Sequence, residues 1–169
     1  MIHPNFWGKS AAGVLPLCKK TGRVLLTLRS QQVMEPGTWG IPGGRIEDGS
    51  WKRDRDTGEM FQEPVESPED GAIREFREET FYTGRVWLVP LFVFQDRLSG
   101  FRFYNFLGLV SHEFPEAQVE ESWEIEEARW VTLDEALEIE PKHFGLRALL
   151  ADEASLETIV RAKLARGGR

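Results

Sequence analysis

The run Arg74-Glu75-Phe76-Arg77-Glu78-Glu79 holds three glutamates whose spacing can do chemistry. On a helix, positions i, i+3 and i+4 share one face, so Glu75, Glu78 and Glu79 converge. Three carboxylates placed together repel one another unless positive charge lies between them. An all-oxygen set of this kind suits Mg²⁺ or Mn²⁺, cations that commonly go on to hold substrate phosphates. The same residues also read as a solvated acidic face, salt-bridged to Arg74 and Arg77. The surrounding segments have to decide between the two.

A helix start stands directly upstream. Ser67 is an N-cap, Pro68 occupies the first helical position, and Glu69 and Asp70 fill the first turn. Ala72, Ile73 and Phe76 supply the apolar side, and the spacing predicts a helix to about residue 81. Residues 10–17 and 23–28, joined by Lys19-Lys20-Thr21-Gly22, predict a β-hairpin. Residues 31–38 contain Pro36-Gly37 and read as a loop. Trp39-Gly40-Ile41-Pro42-Gly43-Gly44 reads as a short extended piece ending in a glycine turn.

Residues 85–95 and 101–112 predict two strands hinged at Leu98-Ser99-Gly100, with Pro90 marking an edge or a bulge. Residues 113–127 read as an acidic loop and 128–132 as a short strand. Residues 133–139 and 144–165 read as helices, the second broken near Asp152, and Gly167-Gly168-Arg169 as a frayed tail. Strands around one acidic helix, with helices at the end, imply a mixed α/β sandwich.

The 169 residues suffice for one domain with a real core. A net charge of −7 argues against a general nucleic-acid or anionic-membrane binder. It leaves nucleotides open, because a bound cation reverses the local sign. The lone Cys18 excludes an intramolecular disulfide and a cysteine-built metal site, and reads as a core residue. His3, His112 and His143 show no metal or catalytic spacing and read as structural or exposed. No apolar run reaches the length of a membrane span and no signal-peptide core is visible, so a cytoplasmic location is the default expectation. Oligomeric state stays open, a homodimer included.

Together these segments resemble the Nudix hydrolases, whose box runs G-x5-E-x7-R-E-U-x-E-E-x-G-U, with U aliphatic. Glu66, seven residues and Arg74-Glu75-Phe76-Arg77-Glu78-Glu79 fit its second half, with Phe76 at the aliphatic position. Gly43-Gly44-Arg45-Ile46-Glu47-Asp48-Gly49 is similar to its opening, and residues 36–42 to its lead-in. Trp130-Val131 and Asp134-Glu135-Ala136-Leu137 are similar to the family's downstream strand and helix. Two departures stand out. Positions 45–65 separate Gly44 from Glu66 where the box has five residues, an excess of about sixteen. With Asp56-Thr57-Gly58 as its turn, the excess predicts a hairpin near the site's mouth, where Lys52, Arg53 and Arg55 could meet phosphates or an acidic neighbour. Second, Phe81 replaces the box glycine. Phenylalanine disfavours the left-handed conformation, so the helix end is expected to be remodelled, with Gly84 closing it.

The resemblance implies a Nudix-type α/β/α sandwich and metal-dependent hydrolysis of a diphosphate linkage. Carried over by position, Glu75, Glu78 and Glu79 are implied as Mg²⁺ or Mn²⁺ ligands, Glu79 foremost, with the Gly44 carbonyl beside them. Arg74 is implied to orient the cluster and Glu66 to brace it. Glu124, six residues before Trp130, is implied as general base, with Glu120, Glu121, Glu126 and Glu127 as rivals; Glu47 is a further candidate to hold the metal, directly or through another ligand. Arg29 and Arg45 are candidates for substrate phosphates; Trp39 and Tyr104, with Phe92, Phe94 and Phe103, are candidates for the base. The expected substrate is a nucleoside triphosphate or related nucleotide. A dinucleoside polyphosphate or nucleotide sugar is the alternative, and a non-catalytic nucleotide-binding module the alternative of another class.

Overall fold

The computed structural model describes residues 9–165; His3 and the tail at 167–169 lie outside the described residues. The first hairpin joins β1 (Ser10–Cys18) and β2 (Val24–Arg29), turning at Gly22 with φ of 73°. Two short strands follow, β3 (Trp39–Gly40) and β4 (Gly43–Arg45), then the hairpin β5 (Trp51–Arg53) and β6 (Met60–Gln62). Helix α1 (Pro68–Thr80) leads into β7 (Trp87–Gln95) and β8 (Arg102–Val110). A short helix α2 (Glu116–Val119) precedes β9 (Ile125–Val131), and α3 (Leu133–Glu138), α4 (Phe144–Ala151) and α5 (Glu153–Leu164) close the chain.

The main sheet runs β3-β2-β1-β8-β7, with β4 also pairing β1 and β9 pairing β2. It is mixed: β1 and β8 are parallel over their full length and the other pairs are antiparallel. Strand β1 is central and covered on both faces, which is why it reads as one apolar run. Its pleat sends Ala12, Val14 and Cys18 toward α1, with Phe76 and Ala72, and Leu15 and Leu17 toward α4 and α5, with Leu146, Leu149 and Ile159. Helices therefore cover both faces, giving a three-layer α/β/α sandwich. Pro90 lies on the edge strand β7, at a register shift between Pro90 and Val93, where a missing N–H costs least.

Strand β1 pairs with β4 at its start and meets β2 near its end. The approach of β4 is close enough to require glycine: a Cβ on Gly43 would lie 2.6 Å from the Ala12 carbonyl oxygen. The glycine turn is thereby fixed against the centre of the sheet, beside α1.

Two segments differ from expectation. The strand expected at 128–132 begins earlier, at Ile125, and most of the acidic loop before it is short helix and turn. Phe81 does adopt the left-handed conformation, with φ of 56°, and its N–H donates to the Arg77 carbonyl at 2.8 Å. The helix closes at the box position despite the Cβ, and Gly84 is not needed. The long C-terminal helix is split at Asp152, whose carboxylate caps α5 by accepting from the Ser155 N–H.

The excess of residues forms the predicted hairpin, closed at its root. Glu47 and Glu66 bond reciprocally: the Glu66 N–H donates to the Glu47 carbonyl, and the Glu47 N–H to the Glu66 carboxylate, both at 2.9 Å. The pairing continues through Gly49–Pro64 and Ser50–Glu63 into β5 and β6. The two ends of the box loop thus stay together, and extra length between them leaves the helix undisturbed.

Candidate active site

Ser67 accepts a hydrogen bond from the Asp70 N–H and starts α1 where the sequence places it. The helix then carries Arg74, Glu75, Glu78 and Glu79 past the Gly43-Gly44 turn. Glu79 is buried, and its Oε1 accepts from the Gly43 N–H at 2.9 Å. Glu75 packs on Gly44: a Cβ there would fall 2.5 Å from the Glu75 Cδ and 2.8 Å from its Oε1. Glu78 remains at the rim, with 60% of its side chain exposed.

Arg74 is the hub of this cluster. Its Nε and Nη2 hold both oxygens of Glu66 at 2.7 and 2.9 Å, and Nη2 also donates to the Arg45 carbonyl. Nη1 donates to Glu75 at 2.7 Å and to Glu78 at 3.4 Å. The bidentate bond from Arg74 holds the Glu66 carboxyl below the usual range, against the opposing effect of burial.

The two inner carboxylates behave differently. Burial pushes the Glu79 carboxyl well above its ordinary value; the Gly43 N–H opposes this, and repulsion from Glu124 and Glu75 adds to it. Burial also raises Glu75, against the pull of Arg74 and with repulsion from Glu78 and Glu124. Glu124 is raised by burial and by Glu78, and held down in part by Arg29. Buried negative charges of this kind are short of positive charge.

A cleft of about 250 Å³ opens beside the cluster, lined by Gly43, Gly44, Arg45 and Glu75, by Arg29, Gln32 and Val33, and by Trp123 and Glu124. Glu124 comes from the acidic segment, whose other glutamates do not line the cleft. Glu116 and Glu120 accept from the backbone of β9, and Glu127 pairs with Arg129. The register count from Trp130 therefore leads to the one glutamate of that segment lining the cleft.

The basic candidates are present but engaged. The Arg29 Nε donates to the Met34 carbonyl, and burial lowers its guanidinium against attraction from Glu79, Glu35 and Glu124. Arg45 is clamped by Glu63 through both terminal guanidinium nitrogens, Nη1 and Nη2. Glu63 is itself buried, accepts further bonds from Asp48 N–H and Ser50 Oγ, and is held well below the carboxylate range, chiefly by Arg45. The hairpin root is thereby locked onto the cleft wall. Sequence reasoning missed Glu63, which is separated from Arg45 by the excess segment. Lys52, Arg53 and Arg55 are not among the residues lining the cleft; Arg53 donates to the Gly58 carbonyl of its own hairpin.

The structure places the aromatic candidates away from the lining of this cleft. Trp39 is buried in the core against α4, its ring faced by the Arg129 guanidinium at 4.9 Å. Its place at the end of the sheet, with its N–H bonded to the Pro141 carbonyl, takes its ring out of the cleft. Tyr104 packs against the core on the α1 side, because the pleat of β8 turns it there. Neither lines the cleft. Phe94 meets Phe144 edge-on, and Phe103 lines a small adjoining cavity with Arg29, Asn105 and His143. Trp123 is the aromatic that lines the cleft, and it went unnoticed because no periodicity marks an exposed loop residue.

His112 is exposed. His143 is structural: Nδ1 accepts from the Gly145 N–H and Nε2 meets Glu35 at 2.7 Å, which ties the loop at 31–38 to α4. Burial pushes the imidazole down to about 3, so it is neutral and donates through Nε2.

The oxygen donor set and its surplus of buried negative charge fit a divalent cation. As they stand, no three acidic, histidine or cysteine side chains among the described residues are grouped closely enough to hold one. Glu75 and Glu78 are turned onto Arg74, and would have to leave it in part.

The family model for the NUDIX domain matches residues 8–152. The chain belongs to the Nudix hydrolase family. Among curated proteins, none matches it in sequence. Solved structures share its fold. The Nudix hydrolase RenU of M. Smegmatis is 23% identical, with a TM-score of 0.61 over 92% of this chain and 88% of that one. The NUDIX domain of Shewanella oneidensis NrtR, solved with ADP ribose, is 19% identical, with a TM-score of 0.60 over 97% and 94%. The C. elegans Ap4A hydrolase is 21% identical, with a TM-score of 0.56 over 92% and 96%. No helix among the described residues is long and apolar enough to cross a membrane.

Proposed function

We propose that this Nudix hydrolase cleaves a diphosphate linkage in a nucleoside triphosphate or related nucleotide, with Mg²⁺ or Mn²⁺. One observation carries the reading: Glu75 on Gly44 and Glu124 line one cleft whose wall also bears Arg29 and Arg45, and buried Glu79 behind the Gly43 turn lies close enough to repel both. So much uncompensated negative charge is costly to fold unless a cation or its ligand uses it. Glu75, Glu78, Glu79 and the Gly44 carbonyl would hold the ion. When bound, it supplies positive charge against the phosphate oxygens and acidifies water. Glu124 is clamped by no arginine hydrogen bond and, raised by burial against the pull of Arg29, is a better proton acceptor than an exposed glutamate. Arg74 positions Glu75 and braces the loop through Glu66. Arg29 and Arg45 supply charge for phosphate. Ligands named for the structural neighbours, ADP ribose and Ap4A, support a nucleotide derivative in this cleft.

A non-catalytic nucleotide-binding module is the second reading. The hold of Arg74 on Glu75 and Glu78 favours it; buried Glu79, held by the Gly43 N–H and not by an arginine hydrogen bond, speaks against it. The test is incubation with Mg²⁺ and a panel followed by ³¹P NMR: ordinary and oxidised triphosphates, dinucleoside polyphosphates, nucleotide sugars and coenzyme A. Cleavage of one class names substrate and bond together. Tight binding of a nucleotide without turnover of any, with Mn²⁺ as well, would establish the module instead.

A further inference from the structure

Trp123 stands in the cleft beside Glu124, and nothing in the hydrolysis itself uses it. Its side chain is 63% exposed, so it contributes little to the core. The backbone that carries it is nevertheless fixed. Ser122 is buried, its carbonyl accepts from the Ile125 N–H at 3.1 Å, and the Glu124 carbonyl accepts from the Ser30 N–H at 2.9 Å. The indole is therefore presented from a fixed point of the backbone on the wall, next to the loop that brings Gln32 and Val33 into the same cleft. The wall is of two kinds: Gly43, Gly44 and Glu75 suit a cation and phosphate, whereas Trp123, Val33 and Gln32 suit a flat, mostly apolar group with a polar edge.

We propose that Trp123 is the stacking surface for the aromatic base of the substrate, and that it makes the cleft selective for nucleotides over base-free diphosphates. Stacking on an indole needs only a π-face and tolerates any base, so this surface sets class rather than base identity. The side-chain amide of Gln32 is placed to meet the polar edge of a base. The hairpin carries exposed aromatics too, Trp51 and Phe61, but neither lines the cleft. The inference rests on the reading of this cleft as the diphosphate site.

Two non-hydrolysable probes separate base from diphosphate: α,β-methylene-ADP and methylenediphosphonate, titrated calorimetrically with Mg²⁺. The Trp123→Ala variant is expected to weaken α,β-methylene-ADP by about 5- to 150-fold, the span of one base–aromatic stack. Trp123→Phe keeps most of the affinity, and methylenediphosphonate binds all variants alike. Unchanged nucleotide affinity in Trp123→Ala overturns the proposal. So does an equal loss for both probes, or a loss in Trp51→Ala in its place. Because these probes are not turned over, Trp123-dependent binding with no hydrolysis in the NMR panel would sink the hydrolase reading alone. Hydrolysis with affinity indifferent to Trp123 would sink the stacking alone.

Discussion

Replacing Gly44 with alanine tests how closely the turn and the helix are matched. A methyl there would lie 2.5 Å from the Glu75 Cδ and 2.8 Å from Oε1, whereas ordinary contact begins near 3.4 Å. The carboxylate must therefore retreat by about 1 Å. It can do so, because it is the end of a flexible side chain, and Gly44 is not in the left-handed conformation. Arg74 loses at most its bond to Glu75 and keeps Glu66 and the Arg45 carbonyl. The expected cost in stability is under about 1 kcal/mol, a drop in Tm of no more than about 4 °C. Misplacing a group at a reacting centre by about 1 Å costs on the order of a hundredfold in rate. Gly44→Ala should thus lose about 100-fold in kcat/KM on the nucleotide cleaved by the wild type, with a near-normal melting curve. Activity within twofold of wild type would show that the position of the Glu75 carboxylate does not matter. A fall in Tm of 10 °C or more would show that the turn cannot accept a Cβ, and that the geometry is wrong.

Other expectations follow from the same contacts. Glu79 has its carboxyl raised in the fold, so the native state holds a proton that the unfolded chain releases near its ordinary value; stability should fall as pH rises from about 4 through the raised value. With chelator present, Glu79→Gln should melt above the wild type at pH 8 by a few degrees, with the gap closing toward pH 4; a gap that widens on acidification would reverse the sign. Phe81→Gly should raise stability by about 1 kcal/mol, read by urea unfolding, since Phe81 is half-exposed and held at φ of 56°. A loss above about 1 kcal/mol would mean that its ring does more than its backbone costs. Replacing residues 51–62 with a two-residue turn, while keeping Glu63, should leave Mg²⁺ dependence intact and change KM or substrate preference, measured as kcat/KM across accepted substrates. Loss of all activity with a normal fold would place the hairpin in the chemistry.

Much of this site is local in sequence and therefore legible there. The cap at Ser67, the facing of Glu75 and Glu79, and the turn at Asp56-Thr57-Gly58 are set by neighbours within a few residues. Pro90 and Asp152 announce an edge and a break for the same reason. What escaped depends on contacts between distant segments. Glu63 reaches Arg45 only because the Glu47–Glu66 pairing brings the two ends of the excess together. Trp39 and Tyr104 are aromatics on strands, and which face each takes depends on the pleat and on what packs there. Trp123 shows the converse, since exposure is legible only when the loop beside it is placed. Phe81 fell to competition: the cost of a left-handed phenylalanine is about 1–2 kcal/mol, and the hydrogen bond to Arg77 with the path to β7 outweighs it.

The most direct test of the central claim compares Mg²⁺-dependent hydrolysis by the wild type and by Glu79→Gln, on the same nucleotide and with folding checked by circular dichroism. The substitution removes a charge at the buried heart of the cluster and keeps the acceptor for the Gly43 N–H. A loss of about 10²- to 10⁴-fold in kcat with the fold intact is predicted. Near-normal Mg²⁺-dependent turnover in that variant would contradict the account.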